Sequence, residues 1–397
     1  MTGSEPGTRL LRKRTSHADS KVTFIELFFD LVFVFAVTQL SHSLLAHLDL
    51  AGALHTLLLL MAVWWVWIYT SWVTNWLDPE RPPVRLALLA LMLAGLLLST
   101  SIPKAFESQG LVFAGAFVFM QVGRTLFTLW AIGRDDAGLT RNFQRILVWL
   151  SISAAFWIAG GLVDGPLRRA LWLVALIVEY LGPSAGFWVP QLGRSTTNDW
   201  TVEGGHLAER CALFIIIALG ESILVTGATF ADLAWTATTV TAFVVSFIGS
   251  VAMWWIYFDT GAERGSHHIA SSDDPGRLAR IAYTYLHLLI VAGIIVAAVA
   301  DELVLAHPTG HTEPKALAAI IGGPALYLVG NLLFKRVIAG RLPLSHLVGV
   351  ALLLALIPAG ASWSPLLLGS ATTIALIIVA AWEMISLRSG RTTTAQV

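Results

Sequence analysis

Long apolar stretches alternate with short polar ones along the whole chain. A bilayer-crossing helix needs ~20 mostly apolar residues, and runs of that kind begin near Val22, Gly52, Val84, Leu111, Phe143, Ala170, Gly205, Thr236, Ala279, Ala316, Pro343 and Pro365. Gly, Pro and charged residues cluster between them. The pattern predicts an all-α integral membrane protein of about 12 transmembrane helices. Twelve spans use ~240 positions, which leaves short connections and no soluble catalytic domain, so any chemistry is expected inside the membrane. The first run follows Arg9, Arg12, Lys13 and Arg14 as a signal peptide would. It is too long, contains Glu26 and Asp30, and lacks a small-residue cleavage site after His42, so it reads as a permanent helix.

Composition agrees with that reading. Apolar residues make up 56% of the 397 and charged residues only 13%, about half the ~25% of soluble proteins, and the mean hydropathy is +0.74. The 25 basic and 25 acidic residues cancel, so no global field favours nucleic acid. The single cysteine, Cys211, rules out an intrachain disulfide and a cysteine-based zinc site. With a cytoplasmic N-terminus, 19 of the 25 Lys and Arg fall on the cytoplasmic side, only Lys104, Arg168, Arg169 and Lys315 fall outside, and Arg124 and Arg210 lie within spans. This bias places both termini in the cytoplasm.

The chain also matches itself. Trp67-Ile68-Tyr69-Thr70 pairs with Trp255-Ile256-Tyr257-Phe258, and Val122-Gly123-Arg124-Thr125-Leu126-Phe127 pairs with Val329-Gly330-Asn331-Leu332-Leu333-Phe334. Weaker echoes pair Ala36 to Gln39 with Ala218 to Glu221, and Glu179 with Glu383. Two parallel six-helix repeats are expected: a cytoplasmic tail over 1–20, one repeat over 21–190, a linker over 191–202, a second repeat over 203–388 and a cytoplasmic tail over 389–397. Six being even, both repeats enter from the same side and are expected to be related by an axis along the membrane normal.

Ionisable side chains in hydrocarbon cost ~2.5 to 3.5 kcal/mol on insertion scales, so each needs a partner or a wet cavity. Glu26 and Asp30 stand four apart on one face of the first span, with Gln39 and His42 further along. The seventh span carries His206, Glu209, Arg210 and Glu221, the fourth carries Arg124, and Glu179 precedes Gly182-Pro183, where the sixth span is expected to break or kink. These ten residues are the candidate substrate- or ion-binding set. Glu209 and Arg210 point about 100° apart on a helix and are expected to find partners elsewhere. An ion-pair cluster of Arg124 and Arg210 with Glu26, Asp30 and Glu209 is expected, with one acid left over as a proton or cation site; structural pairing of helices is the alternative. His206 and Glu209 could share a metal, but His followed by Glu at this spacing is common, and no metal or cofactor is expected. Trp64, Trp65, Trp67, Trp72 and Trp76 suit an aromatic belt and packing. His55 and His287 read as hydrogen-bonded helix residues, and Asp301 and Glu302 as solvated.

The run Glu26-Leu27-Phe28-Phe29-Asp30-Leu31-Val32-Phe33-Val34-Phe35 followed by Thr38-Gln39-Leu40 resembles the opening motif of the bacterial low temperature requirement A (LtrA) family. His206-x-x-Glu209-Arg210 with Gly220-Glu221-Ser222 resembles that family's second signature, and Arg124 sits where a membrane arginine is expected. The resemblance implies a multi-pass protein of the bacterial inner membrane, named for a requirement in growth at low temperature. Three functions compete: an ion- or proton-coupled transporter, a non-catalytic sensor or assembly factor, and a membrane-embedded lipid-modifying enzyme. The parallel repeat and the intramembrane carboxylates favour the transporter, an enzyme being the weaker reading. The segment Leu77-Asp78-Pro79-Glu80-Arg81-Pro82-Pro83 lacks a sugar-permease loop motif, so the major facilitator fold is not assigned. The expected partners are the lipid bilayer and a small molecule or ion.

Overall fold

A computed structural model describes residues 10–12, 21–133, 136–196, 200, 202–259, 265, 268–269 and 272–394, the last eight by backbone alone. Among the described residues, ten helices are long and apolar enough to cross a membrane. They are α1 (Phe24–Ala46), α2 (Leu50–Trp76), α3 (Pro82–Lys104), α4 (Gly110–Ile132), α5 (Ala137–Leu162), α7 (Gly204–Ala231), α8 (Ala237–Tyr257), α9 (Pro275–Ala306), α10 (Pro314–Ala339) and α12, whose apolar part is Pro365–Ser386 and whose full extent is Pro365–Thr394. Two shorter helices complete the series: α6 (Gly165–Leu181) and α11 (Leu344–Gly360). With no water in the bilayer to satisfy peptide groups, helices that bond internally are what such a chain can form. The described residues contain no strand. Much of the tails and part of the stretch from Gly261 to Arg277, between α8 and α9, lie outside the described residues.

Local chemistry sets the helix ends. Asp136 accepts the Leu139 N–H at 2.8 Å and caps α5, while Thr236 and Thr239 exchange hydrogen bonds in a capping box that starts α8. Asp49 accepts the Gly52 N–H at 2.8 Å at the start of α2, and that bond holds its exposed carboxyl below the usual range. α6 ends at Leu181, just before Gly182-Pro183. Within α4 the backbone widens to a π-helical turn over Phe119–Gly123. Such turns recur at functional sites, and Arg124 follows immediately.

The chain forms two compact units. Unit 1 contains α1 to Ser43, α2 from His55, α3 to α6, and α7 to Arg210; unit 2 contains α7 from Cys211, α8, most of α9, and α10 to α12. In unit 1, α2 is the most enclosed helix, with Trp64, Trp65, Val66, Trp67 and Ile68 all buried. α3 turns Leu86, Leu89, Leu93 and Leu96 outward, an apolar stripe at helical spacing that suits lipid rather than water. In unit 2, α9 and α10 pack most extensively. A Cβ at Gly293 would sit 2.4 Å from the Tyr327 nitrogen, and one at Gly323 would sit 2.6 Å from the Ala297 nitrogen. Small residues here let two backbones touch, which in lipid replaces the missing hydrophobic drive between helices.

The tryptophans of α2 do not form a belt. Trp64, Trp65, Trp67 and Trp76 are buried within the bundle, because their neighbours are helices of unit 1 and, for Trp67, a carboxylate. Asp301 is not a solvated end residue either: it is half-buried in unit 2 and takes a hydrogen bond from Ser222.

Candidate functional site

The first cluster gathers at the start of α1. Glu26 is fully buried in the first helical turn, where its Oε2 accepts the Thr23 N–H and hydroxyl, both at 2.9 Å. The Arg12 guanidinium donates to the same oxygen at 3.0 Å. Arg12 is held there by an antiparallel bridge of Leu11 with Leu77 and by its own bond to the Thr74 carbonyl at 2.7 Å. His206, in the first turn of α7, lies 2.9 Å from Glu26 Oε1 through Nε2 and 3.3 Å from the Asn75 amide through Nδ1. Asn75 also bonds the backbone of Glu203 in both directions, at 2.9 and 2.8 Å.

One turn deeper, Asp30 Oδ1 accepts Arg210 Nη2 and the Trp67 indole N–H, each at 2.8 Å. Arg210 also reaches the Ser71 hydroxyl and stands 5.7 Å over the Trp67 ring. Both partners of the pair are buried. Asp30 Oδ2 and Arg210 Nη1 have no hydrogen-bond partner. Removing a buried pair's partner is worth ~3 to 5 kcal/mol, because the remaining charge is left uncompensated.

The expected five-residue charge cluster is therefore only partly assembled. Glu26, Asp30, His206 and Arg210 come together. Glu209 faces outward and takes the Val22 N–H at 3.2 Å, since Arg210, about 100° away on the same helix, occupies the inward face. No acid is left over in this cluster, because Arg12, which the sequence places in a basic tail, supplies a second cation. His42 is exposed and Gln39 half-buried on α1, apart from these bonds, and Glu221 is buried in unit 2.

Arg124 lies in a second array of unit 1. It donates to the Val66 carbonyl at 3.1 Å and the Thr70 hydroxyl at 3.0 Å, and to the Gln121 side chain. Gln121 in turn donates to Glu179 at 2.6 Å, and Ser153 and Trp157 donate to the other oxygen of Glu179. Arg124 and Glu179 thus communicate through an amide without touching. Arg124 also borders a small cavity lined by Tyr69, Trp72, Trp76, Phe143 and Trp200 among others. Phe187 and Trp200, from the α6–α7 connection, help line it. Arg145 holds that connection by donating to the Leu192 carbonyl and to Ser195.

Sequence reasoning missed Arg12, Asn75, Gln121 and the role of Trp67. Gln121 was findable: it lies three residues before Arg124 on the same helical face. Among the described residues no three His, Cys, Asp or Glu side chains are grouped to hold a metal ion. His206 has both ring nitrogens engaged by protein groups.

Helices that cross a bilayer with charged networks kept to the bundle interior define a multi-pass membrane protein. Comparison gives the family: residues 21–381 match the bacterial low temperature requirement A protein (LtrA) family, and the chain belongs to it. An uncharacterized protein of Rhizobium meliloti (strain 1021) is 44% identical over 396 residues, covering 99% of this chain and 96% of that protein. No solved structure matches.

Proposed function

We propose that the protein is an ion- or proton-coupled transporter of the bacterial inner membrane, and that the aromatic cavity beside Arg124 receives a small organic acid. One observation carries this reading: a buried arginine at a cavity wall whose hydrogen-bond partners are all neutral. Val66, Thr70 and Gln121 satisfy part of the guanidinium, while Arg124 Nε has no partner. No carboxylate of the described residues forms an ion pair with Arg124. A guanidinium offers a planar fork suited to a carboxylate, and the ring-lined walls suit an apolar body.

The ion pairs of Glu26 with Arg12 and of Asp30 with Arg210 favour a second role for the α1–α7 cluster, as a lock that fixes those helices in a non-catalytic sensor. The test is uptake of labelled benzoate, phenylacetate and indole-3-acetate into proteoliposomes under an imposed proton or sodium gradient. Gradient-driven uptake of at least one acid is expected, with Arg124→Gln abolishing it. If none of the three enters faster than into empty liposomes, the transporter reading for organic acids is wrong and the lock reading gains.

A further inference from the structure

Unit 2 contains a half-buried acid of its own, Asp301, which borders a cavity. Asp301 lies five residues before the end of α9, and among the described residues it forms no ion pair. Hydroxyls meet it instead. Ser222 of α7 donates to Oδ2 at 2.9 Å, Ser246 of α8 is a second hydroxyl partner, and Ser250 lies 3.0 Å from Ser222. All three serines are buried.

Asp301 borders a small cavity whose lining also includes Ser246, Thr372, Thr373, Ile320 and Pro324. Pro324 lies inside α10 and has no N–H, so the Ile320 carbonyl loses its helical partner. Thr372 donates its hydroxyl proton to the Gly369 carbonyl at 2.9 Å, and its oxygen lone pairs remain acceptors. Gly249 keeps space beside Thr373, since a Cβ there would lie 3.2 Å from the Thr373 hydroxyl. At ~1.5 Å per residue, Asp301 is ~8 Å from the end of α9, Thr372 ~11 Å from the start of α12, and Ser246 ~13 Å from the start of α8. The oxygens therefore lie inside the spans, about one to three turns from the helix ends.

An ionised carboxylate there, met only by neutral groups, carries an uncompensated charge at the cost that intramembrane acids incur. A bound cation removes it. All the donors are oxygens, which suits a hard cation, and freed helix carbonyls are common sodium ligands in transporters. One carboxylate balances a single positive charge, whereas calcium sites use several. We infer that Asp301, Ser246, Thr372, Thr373 and the Ile320 carbonyl form an intramembrane site for a small monovalent cation, with Na⁺ the ion that matches the donors. As the identity of a coupling ion, this rests on the transporter reading; as a binding site, it stands apart from it.

The experiment uses the purified full chain in choline chloride. Choline is replaced by Na⁺, Li⁺ or K⁺ at constant ionic strength while thermal unfolding is followed, and radioactive sodium binding is measured by scintillation proximity. Saturable Na⁺ binding with a raised unfolding temperature is expected. Asp301→Asn should lower Na⁺ affinity roughly 10- to 100-fold, the loss of a charged contact, in protein that still elutes as a single species. Should that variant not fold, Ser246→Ala and Thr373→Val each lower the affinity severalfold. Absence of saturable Na⁺ binding overturns the site, including the case where only pH alters stability, as does equal affinity in the folded variants. Na⁺ binding without uptake of any organic acid sinks the transporter reading and leaves the site. Uptake without Na⁺ binding does the reverse.

Discussion

At the scale of single residues, the pair of Asp30 and Arg210 shows why sequence spacing locates a site without completing it. Glu26 and Asp30 declare themselves by standing four apart in an apolar helix. Their partners do not: Arg12 is one of several basic residues in a stretch that reads as a topogenic tail, and only its bridge to the end of α2 brings it to Glu26. Arg210→Ala leaves Asp30 buried and uncompensated, so ~3 to 5 kcal/mol of stability should be lost. Reduced recovery of monodisperse protein by fluorescence-detected size-exclusion would register it. The double variant Asp30→Asn with Arg210→Met should recover most of that loss, since it removes both charges together. Equal instability of the double and single variants would mean that the pair is not what holds Arg210.

Among the elements, two contacts concentrate the packing. In unit 2, α9 and α10 touch backbone to backbone at Gly293 and Gly323. Gly323→Leu cannot fit without parting the helices, and overpacking of this kind typically costs ~1 to 3 kcal/mol. A lowered unfolding temperature in detergent is the expected reading, whereas Gly322→Ala, where a Cβ meets nothing within 4 Å, should change little. In unit 1, buried Arg168 donates to the carbonyls of Gly160, Val163, Ala105 and Glu107, tying the α5–α6 corner to the α3–α4 connection. The sequence reads it only as an external charge. Helix starts and the stop at Gly182-Pro183 were legible, because apolar length and proline act locally. The π turn before Arg124 was not, since it answers to how α4 packs.

On the scale of the molecule, the orientation is open to direct test. Both termini are expected in the cytoplasm, with the exposed positions Lys104 and Lys315 outside. Cysteines placed there in a Cys211→Ser background should react with an impermeant reagent in intact cells, whereas cysteines at Arg81 and Arg341 should not. An external C-terminus would overturn the parity of the spans and the parallel repeat with it. Each unit contains a buried glutamate that bridges its helix to two others. Glu179 of α6 meets Gln121 of α4 and Ser153 of α5, and Glu383 of α12 meets Lys335 of α10 at 2.6 Å and Ser345 of α11 at 3.3 Å. That likeness is the reason to propose the duplication. Against it, Trp67 is buried while its sequence match Trp255 is 38% exposed.

By itself the sequence determined the class, the helix positions and the family signature, because a bilayer imposes one requirement on every residue of a span: satisfy the backbone internally and keep the side chains apolar. Exceptions to that rule stand out, and so Glu26, Asp30, Arg124, Glu179, His206 and Arg210 could be read directly. Tertiary structure decided which exceptions meet. Glu209 and Arg210 are neighbours in sequence, yet one turns outward and the other inward. Asp301 looks like a helix-end residue until Ser222 and Ser246 from two other helices close over it. Pairing depends on distances between helices that are remote in sequence, and on which face each one buries, and neither quantity is written in local composition.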